Sequence, residues 1–128
     1  MSESPDDRIY SEEHIWLLLE SDDIATIGIT KYAQSELGDI VYVELPEVEN
    51  EYQSGQPCAV VESVKAASDI HAPVECKIIG INEELIDSPE ILNEAPYKDG
   101  WLCKIEIVDK SSIDSLLNAS QYDSLFKE

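Results

Sequence analysis

Short β-favouring runs, broken by turn residues at near-regular intervals, leave this chain few folds to choose from. Apolar and β-branched side chains concentrate in residues 15–20, 24–29, 39–45, 57–64, 68–72, 77–82 and 101–108. Most of these runs are bounded by Gly, Pro, Asp or Ser, which favour turns over continued strand. The long helical patterns that connect parallel strands are missing between them. The expected fold is therefore mainly β, a flattened barrel or sandwich of short antiparallel strands with a few short helices, two of them at the C-terminus.

Local signals refine this outline. Ser21-Asp22-Asp23 turns residues 15–20 back onto 24–29 as a hairpin. Thr30 is placed to N-cap a short helix through Leu37, with Gly38 just past its end. In 39–45 the alternation predicts Val41, Val43 and Leu45 on a buried face. Residues 46–55 read as a polar connection. Ser88 and Pro89 predict a helix start, N-cap then first helical position, running to Asn93. Ser112 before Ile113, Leu116 and Leu117, and Ser120 before Tyr122, Leu125 and Phe126, predict two amphipathic helices packed on the sheet. Gly80 inside a strand run predicts a bulge or a weakened strand.

The chain has 128 residues, enough for one core. Residues 1–8 are polar and contain Pro5, so a flexible tail is expected there and a single domain over 9–128. With 28 acidic against 8 basic residues the formal charge is −20. Such a chain is repelled by nucleic-acid backbones and anionic membranes, so partners of neither kind are expected. No apolar stretch reaches the length of a membrane span, and the acidic N-terminus lacks the basic start of a targeting signal. A cytoplasmic location is expected, or an organelle matrix if a leader has already been removed.

Cys58, Cys76 and Cys103 are odd in number and widely spaced, which argues against both a disulfide framework and a zinc site. Cys58 and Cys103 are expected in the core, Cys76 near a turn tip. Two isolated histidines make a weak metal or acid–base case; His14 is expected to shape the N-terminal strand and His71 to lie beside the hairpin described next.

The residue that most suggests a function is Lys65, within Val61-Glu62-Ser63-Val64-Lys65-Ala66-Ala67-Ser68-Asp69-Ile70-His71-Ala72-Pro73. Strand-like runs flank it on both sides, which places it at a hairpin tip, and the small pair Ala66-Ala67 keeps its amine approachable. A solvated turn lysine is the ordinary reading of the residue type. A Schiff-base nucleophile would need desolvation or a neighbouring cation; the sequence offers neither, and Glu62 and Asp69 flank the lysine instead.

The wider pattern resembles the H protein of the glycine cleavage system. The resemblance rests on Tyr10-Ser11-Glu12-Glu13-His14 with Trp16; Ala25-Thr26-Ile27-Gly28-Ile29-Thr30 with Tyr32-Ala33-Gln34; Leu37 through Pro46; Glu62 through Pro73; and Pro96-Tyr97 with Gly100-Trp101-Leu102. It implies a hybrid barrel-sandwich fold and lipoate in amide linkage on Lys65, with Glu62, Ser63, Ala66, Asp69 and His14 as the surrounding cofactor-binding residues. The implied partners are glycine decarboxylase, a tetrahydrofolate-dependent aminomethyltransferase, lipoamide dehydrogenase, and a lipoate ligase or lipoyl/octanoyl transferase. The chain itself is expected to be a non-catalytic, monomeric carrier of an aminomethyl group.

Four positions depart from the family pattern. Ile15 stands where a glutamate is usual, and an isoleucine offers neither a hydrogen-bond acceptor nor a charge for the loaded arm's amine. Glu75-Cys76 replaces a Ser-Gly turn, Gly80 replaces a strand residue, and Glu49-Asn50-Glu51 replaces a glycine turn. Ile15 favours an alternative, a lipoyl relay or storage protein that passes lipoate to other lipoyl domains without aminomethyl chemistry. An unmodified interaction protein is less consistent with intact Glu62, Lys65 and Asp69. Biotin carriage would place methionines beside the lysine, where Val64 and Ala66 stand.

Overall fold

The computed structural model describes residues 5 and 7–125. Among these, nine strands form two antiparallel sheets. The larger sheet runs, in spatial order, β1 (Ile9–Tyr10), β2 (Ile15–Leu19), β3 (Ile24–Ile29), β9 (Cys103–Ile107), β8 (Cys76–Ile81) and β5 (Glu51–Tyr52). The smaller is β4 (Ile40–Glu44), β6 (Pro57–Ser63) and β7 (Ala67–His71), with β6 central and β7 at an edge. Helices α1 (Lys31–Leu37), α2 (Glu84–Asp87), α3 (Ile91–Glu94) and α4 (Ala119–Leu125) and a 3-10 turn over Lys110–Ser115 complete the fold. The expected sandwich of antiparallel strands holds, and the sheets do not close into a barrel.

The two sheets face each other across one core. Ile15, Leu17, Ala25, Ile27, Ile29, Ile78, Cys103 and Ile105 enter it from the larger sheet, and Ile40, Val43, Val61 and Ile70 from the smaller. On β2 the intervening Trp16 points the other way, as alternation demands, into a second cluster with Tyr10, Ala119 and Tyr122. Both faces of β2 are therefore covered from Ile15 to Leu17, which is why that stretch is apolar without a break, while Leu19 at the strand end is 45% exposed. Trp16 pairs with Gly28 across the strands. A Cβ at Gly28 would lie 2.5 Å from the indole, so the ring takes the space a side chain would need. The indole N–H donates to the Pro96 carbonyl at 2.9 Å, and the Arg8 guanidinium lies 4.7 Å over the ring.

The N-terminal cap of α1 forms as expected, with Thr30 Oγ1 accepting the Ala33 N–H at 3.2 Å and Gly38 closing the helix at φ 81°. The bulge at Gly80 is present as a register shift between Ile78 and Gly80 against β9. Other expectations are corrected. In β4 a bulge between Ile40 and Tyr42 breaks the alternation. Ile40 and Val43 are buried, while Val41 is 54% and Tyr42 47% exposed. Ser88 and Pro89 do not open a helix. Their carbonyls accept the N–H groups of Ile91 and Leu92 in a tight turn, both at 3.1 Å, and the helix follows as α3. The first of the two C-terminal helices is 3-10, with the Asp109 side chain accepting the Ser111 N–H. The second ends at Leu125, and Phe126 lies outside the described residues, as do residues 1–4 and 6 of the expected tail. Strands β1 and β5 and helix α2 carry no signal in the sequence pattern that would single them out.

Cys76 is not at a turn tip. It opens β8 and is 1% exposed. Neither it nor Glu75 has a positive φ, so this turn does without a glycine-type conformation. Glu49 does adopt one, with φ 84°, in the turn where a glycine would be unstrained. Among the described residues no helix is long and apolar enough to cross a membrane.

Candidate functional site

Strands β6 and β7 form the hairpin expected from the sequence, with Glu62 opposite Ala67 and Val60 opposite Asp69. Cross-strand partners share a face. Val61 and Ile70 point into the core, so Glu62, Ala67 and Asp69 stand on the outer face beside Tyr42, which pairs with Glu62 from β4. Lys65 and Ala66 lie at the tip and are exposed, as is Val64 at 67%.

Ser63 shapes this tip. Its Oγ accepts the N–H groups of Lys65 at 3.1 Å and Ala66 at 3.2 Å, and donates to the Ala66 carbonyl at 3.1 Å. The Ala66 carbonyl also accepts the Ser63 N–H at 2.9 Å. A serine hydroxyl bonded to nearby backbone stabilises a turn without requiring a left-handed residue. The backbone under Lys65 is thus closed while its side chain leaves the turn. A further bond ties the tip to the body of the protein, the Val64 N–H donating to the Asp39 carbonyl at 3.0 Å.

The lysine stem runs over Gly38. A Cβ at Gly38 would lie 3.4 Å from Lys65 Cε and 3.9 Å from Nζ. The amine forms no ion pair within 4.0 Å among the described residues. It therefore keeps an open approach with no carboxylate to displace.

The hairpin brings together Glu62, Ser63, Lys65, Ala66 and Asp69, as expected. His14 belongs to a different neighbourhood, the turn before β2. Its Nδ1 lies 2.7 Å from the Tyr122 hydroxyl, which also lies 2.7 Å from Thr30 Oγ1. The imidazole stacks on Tyr32 at 4.6 Å between centroids, and burial lowers its pKa against the opposing pull of Glu36 and Glu13. His71 connects the two regions, since its Nδ1 lies 2.6 Å from Glu13 Oε2. Ile15 is 1% exposed and packs in the main core, so this position presents no polar group at the surface.

The thiols are unsuited to chemistry. Burial pushes Cys58 up to about 11 and Cys76 up to about 12, and raises Cys103 well above the ordinary thiol value. A thiol held protonated is a poor nucleophile. No group of three or more His, Cys, Asp or Glu side chains among the described residues could hold a metal ion. Sequence reasoning named Ser63 without foreseeing its part in the turn, and it read Gly38 only as a helix stop. It passed over Asp39, whose backbone carbonyl does the tethering and leaves no mark in residue type.

Fold and site together define a small antiparallel sandwich that presents a lysine amine at the tip of a hairpin closed by its own hydrogen bonds. The comparisons say which sandwich. The family model described as Glycine cleavage H-protein matches residues 8–128, and the chain belongs to that family. It is 52% identical over 124 residues to a glycine cleavage system H protein of Staphylococcus epidermidis, covering 97% of this chain and 98% of that one. It is 52% identical over 128 residues to the same protein of Photorhabdus laumondii, covering 100% and 98%. The crystal structure of a glycine cleavage system H protein from Mycobacterium marinum superposes with TM-score 0.87 at 35% identity, covering 95% of this chain and 98% of that one.

Proposed function

We propose that this chain is the lipoyl carrier of a glycine cleavage system. In this reading it bears lipoate on Lys65 and shuttles an aminomethyl group between glycine decarboxylase, an aminomethyltransferase and lipoamide dehydrogenase. A single carrier domain over 9–128, a cytoplasmic setting and acylation by a lipoate ligase or a lipoyl/octanoyl transferase belong to the same reading. The observation that carries it is the exposed Lys65 amine, without an ion pair, at the tip of a hairpin whose Val64, Lys65 and Ala66 amides are all hydrogen-bonded.

The residues present fit the group. Amide formation needs a primary amine that an enzyme can reach, and Lys65 meets that need with only Val64 and Ala66 beside it on the chain. When attached, lipoate supplies a disulfide that can be opened, loaded and closed again. The chain's own residues do the rest. Ser63 fixes the direction in which the lysine leaves the turn, and the bond from Val64 to Asp39 fixes the tip relative to the core. Glu62 and Asp69 give the outer face of the hairpin its negative charge, which suits partners with basic rims around their active sites. Once Lys65 is acylated, the chain's own side chains position the arm and the partner enzymes supply the catalytic groups.

Intact-mass measurement of protein incubated with lipoate, ATP and a lipoate ligase tests the reading. One lipoyl increment is expected in the wild type and none in Lys65→Arg; an unchanged wild-type mass sinks it. A second reading is favoured by Ile15, whose buried apolar side chain cannot receive the amine of a loaded arm. It makes the chain a lipoyl relay that passes lipoate to other domains. Labelled glycine given with purified decarboxylase separates the two, because a carrier accumulates label on Lys65 and a relay does not.

A further inference from the structure

We propose that Asn93 is a positioning residue for Lys65. It holds the backbone seat from which the amine is offered to the enzyme that acylates it, and this rests on the carrier reading above. Asn93 lies in α3 and reaches the start of β4. Its Nδ2–H donates to the Gly38 carbonyl at 2.8 Å, and its Oδ1 accepts the Ile40 N–H at 2.8 Å. The two bonds bracket Asp39. A carboxamide is suited to this, since it donates and accepts side by side in one plane.

The bracketed segment is the one that meets the lysine tip. Asp39 offers its carbonyl to the Val64 N–H at 3.0 Å, Ile40 pairs with Ser63, and Gly38 underlies the lysine stem. Gly38 is at φ 81°, and any side chain there would contact Lys65 Cε at 3.4 Å. Three consecutive residues that touch the tip therefore take their position from one side chain on another element. A tip without that anchor has to be ordered when an enzyme engages it, and the entropy lost is subtracted from binding. The chemistry at Nζ is unaffected. The effect belongs in KM and not in kcat.

The test uses the full chain as wild type, Asn93→Ala and Asn93→Asp. Initial rates of lipoylation by a lipoate ligase are followed by intact mass, and amide exchange by NMR. Asn93→Ala is expected to raise KM for the carrier about tenfold with kcat within about twofold. The Val64 amide should exchange about tenfold faster while the Ile27 amide in β3 is unchanged. Asn93→Asp is isosteric and loses the donor to Gly38 while keeping an acceptor for Ile40; it should show both changes, and it carries the test if the alanine variant fails to fold. Wild-type KM and Val64 exchange in a folded variant would overturn the proposal, as would a loss confined to kcat. If wild-type protein accepts no lipoate, the carrier reading falls by that result, whereas unchanged Val64 exchange in the variants refutes the anchoring by itself.

Discussion

The two sheets of this protein are built to opposite specifications. In the larger one, β2 is packed on both faces, by the main core on one side and, around its own Trp16, by Tyr10, Ala119 and Tyr122 on the other. In the smaller one the inner face is core, while the outer face carries Tyr42, Ala67 and Asp69 in the open and Glu62 half-buried beside them. The difference shows where stability and function reside. Apolar burial holds the larger sheet and the inner face of the smaller one, and the lysine tip takes its position through backbone bonds that leave its outer surface unencumbered.

Truncation should expose this contrast most sharply. Trp16→Ala removes a ring that is 1% exposed, and it is expected to cost about 3–5 kcal/mol in chemical denaturation. Glu62→Ala on the other sheet should stay within about 0.5 kcal/mol. Equal losses would erase the distinction between the sheets.

A smaller effect of opposite sign is expected at Glu49, whose φ of 84° is strained for any residue with a Cβ. Glu49→Gly should stabilise the protein by about 1 kcal/mol. The gain is offset in part by loss of the exposed contact to Lys77 Nζ at 3.1 Å. A melting temperature that falls on this substitution would show the contact to outweigh the strain.

The smallest effect sits in the aromatic cluster. Burial holds the native pKa of His14 below its ordinary value of 6.5, so the unfolded chain takes up a proton that the native state resists. Stability should therefore decline as pH falls below about 6.5 and on through the native pKa. His14 sits at φ 71°, which Asn tolerates, and His14→Asn should lack that part of the slope. Parallel profiles of the two proteins between pH 5 and 7.5, about the range of histidine titration, would show that His14 is not its source.

Much of the strand layout was legible because its signals are local. Strand β3 begins and ends where the apolar run does, and the limits of β6 and β7 fall within one residue of the expected runs. The helix cap at Thr30 and the bulge at Gly80 were readable from residue type, because each depends on what one side chain can or cannot do. The burial pattern of β4 was not, since one extra residue in a strand reverses the facing of everything beyond it and Val41 looks the same in either register. The two-residue strand β5 draws its pairing from β8, distant in the sequence, and β1, which pairs with the neighbouring β2, is too short for alternation to show. Within the site, Lys65 and its neighbours could be named from their pattern. Their tether to Asp39 could not, because a backbone carbonyl is common to every residue. The buried state of Cys76 likewise depends on which way a strand begins, not on the turn before it.

The hydroxyl of Ser63 has one more consequence. With both amides at the tip already satisfied, the pivot stays put, and whatever is joined to Lys65 sweeps a volume about it whose reach is set by the length of the lysine stem and its attachment. Partner pockets must then open within that reach. Lengthening the attachment would shift the reachable zone outward, whereas slackening the polypeptide would only blur its rim.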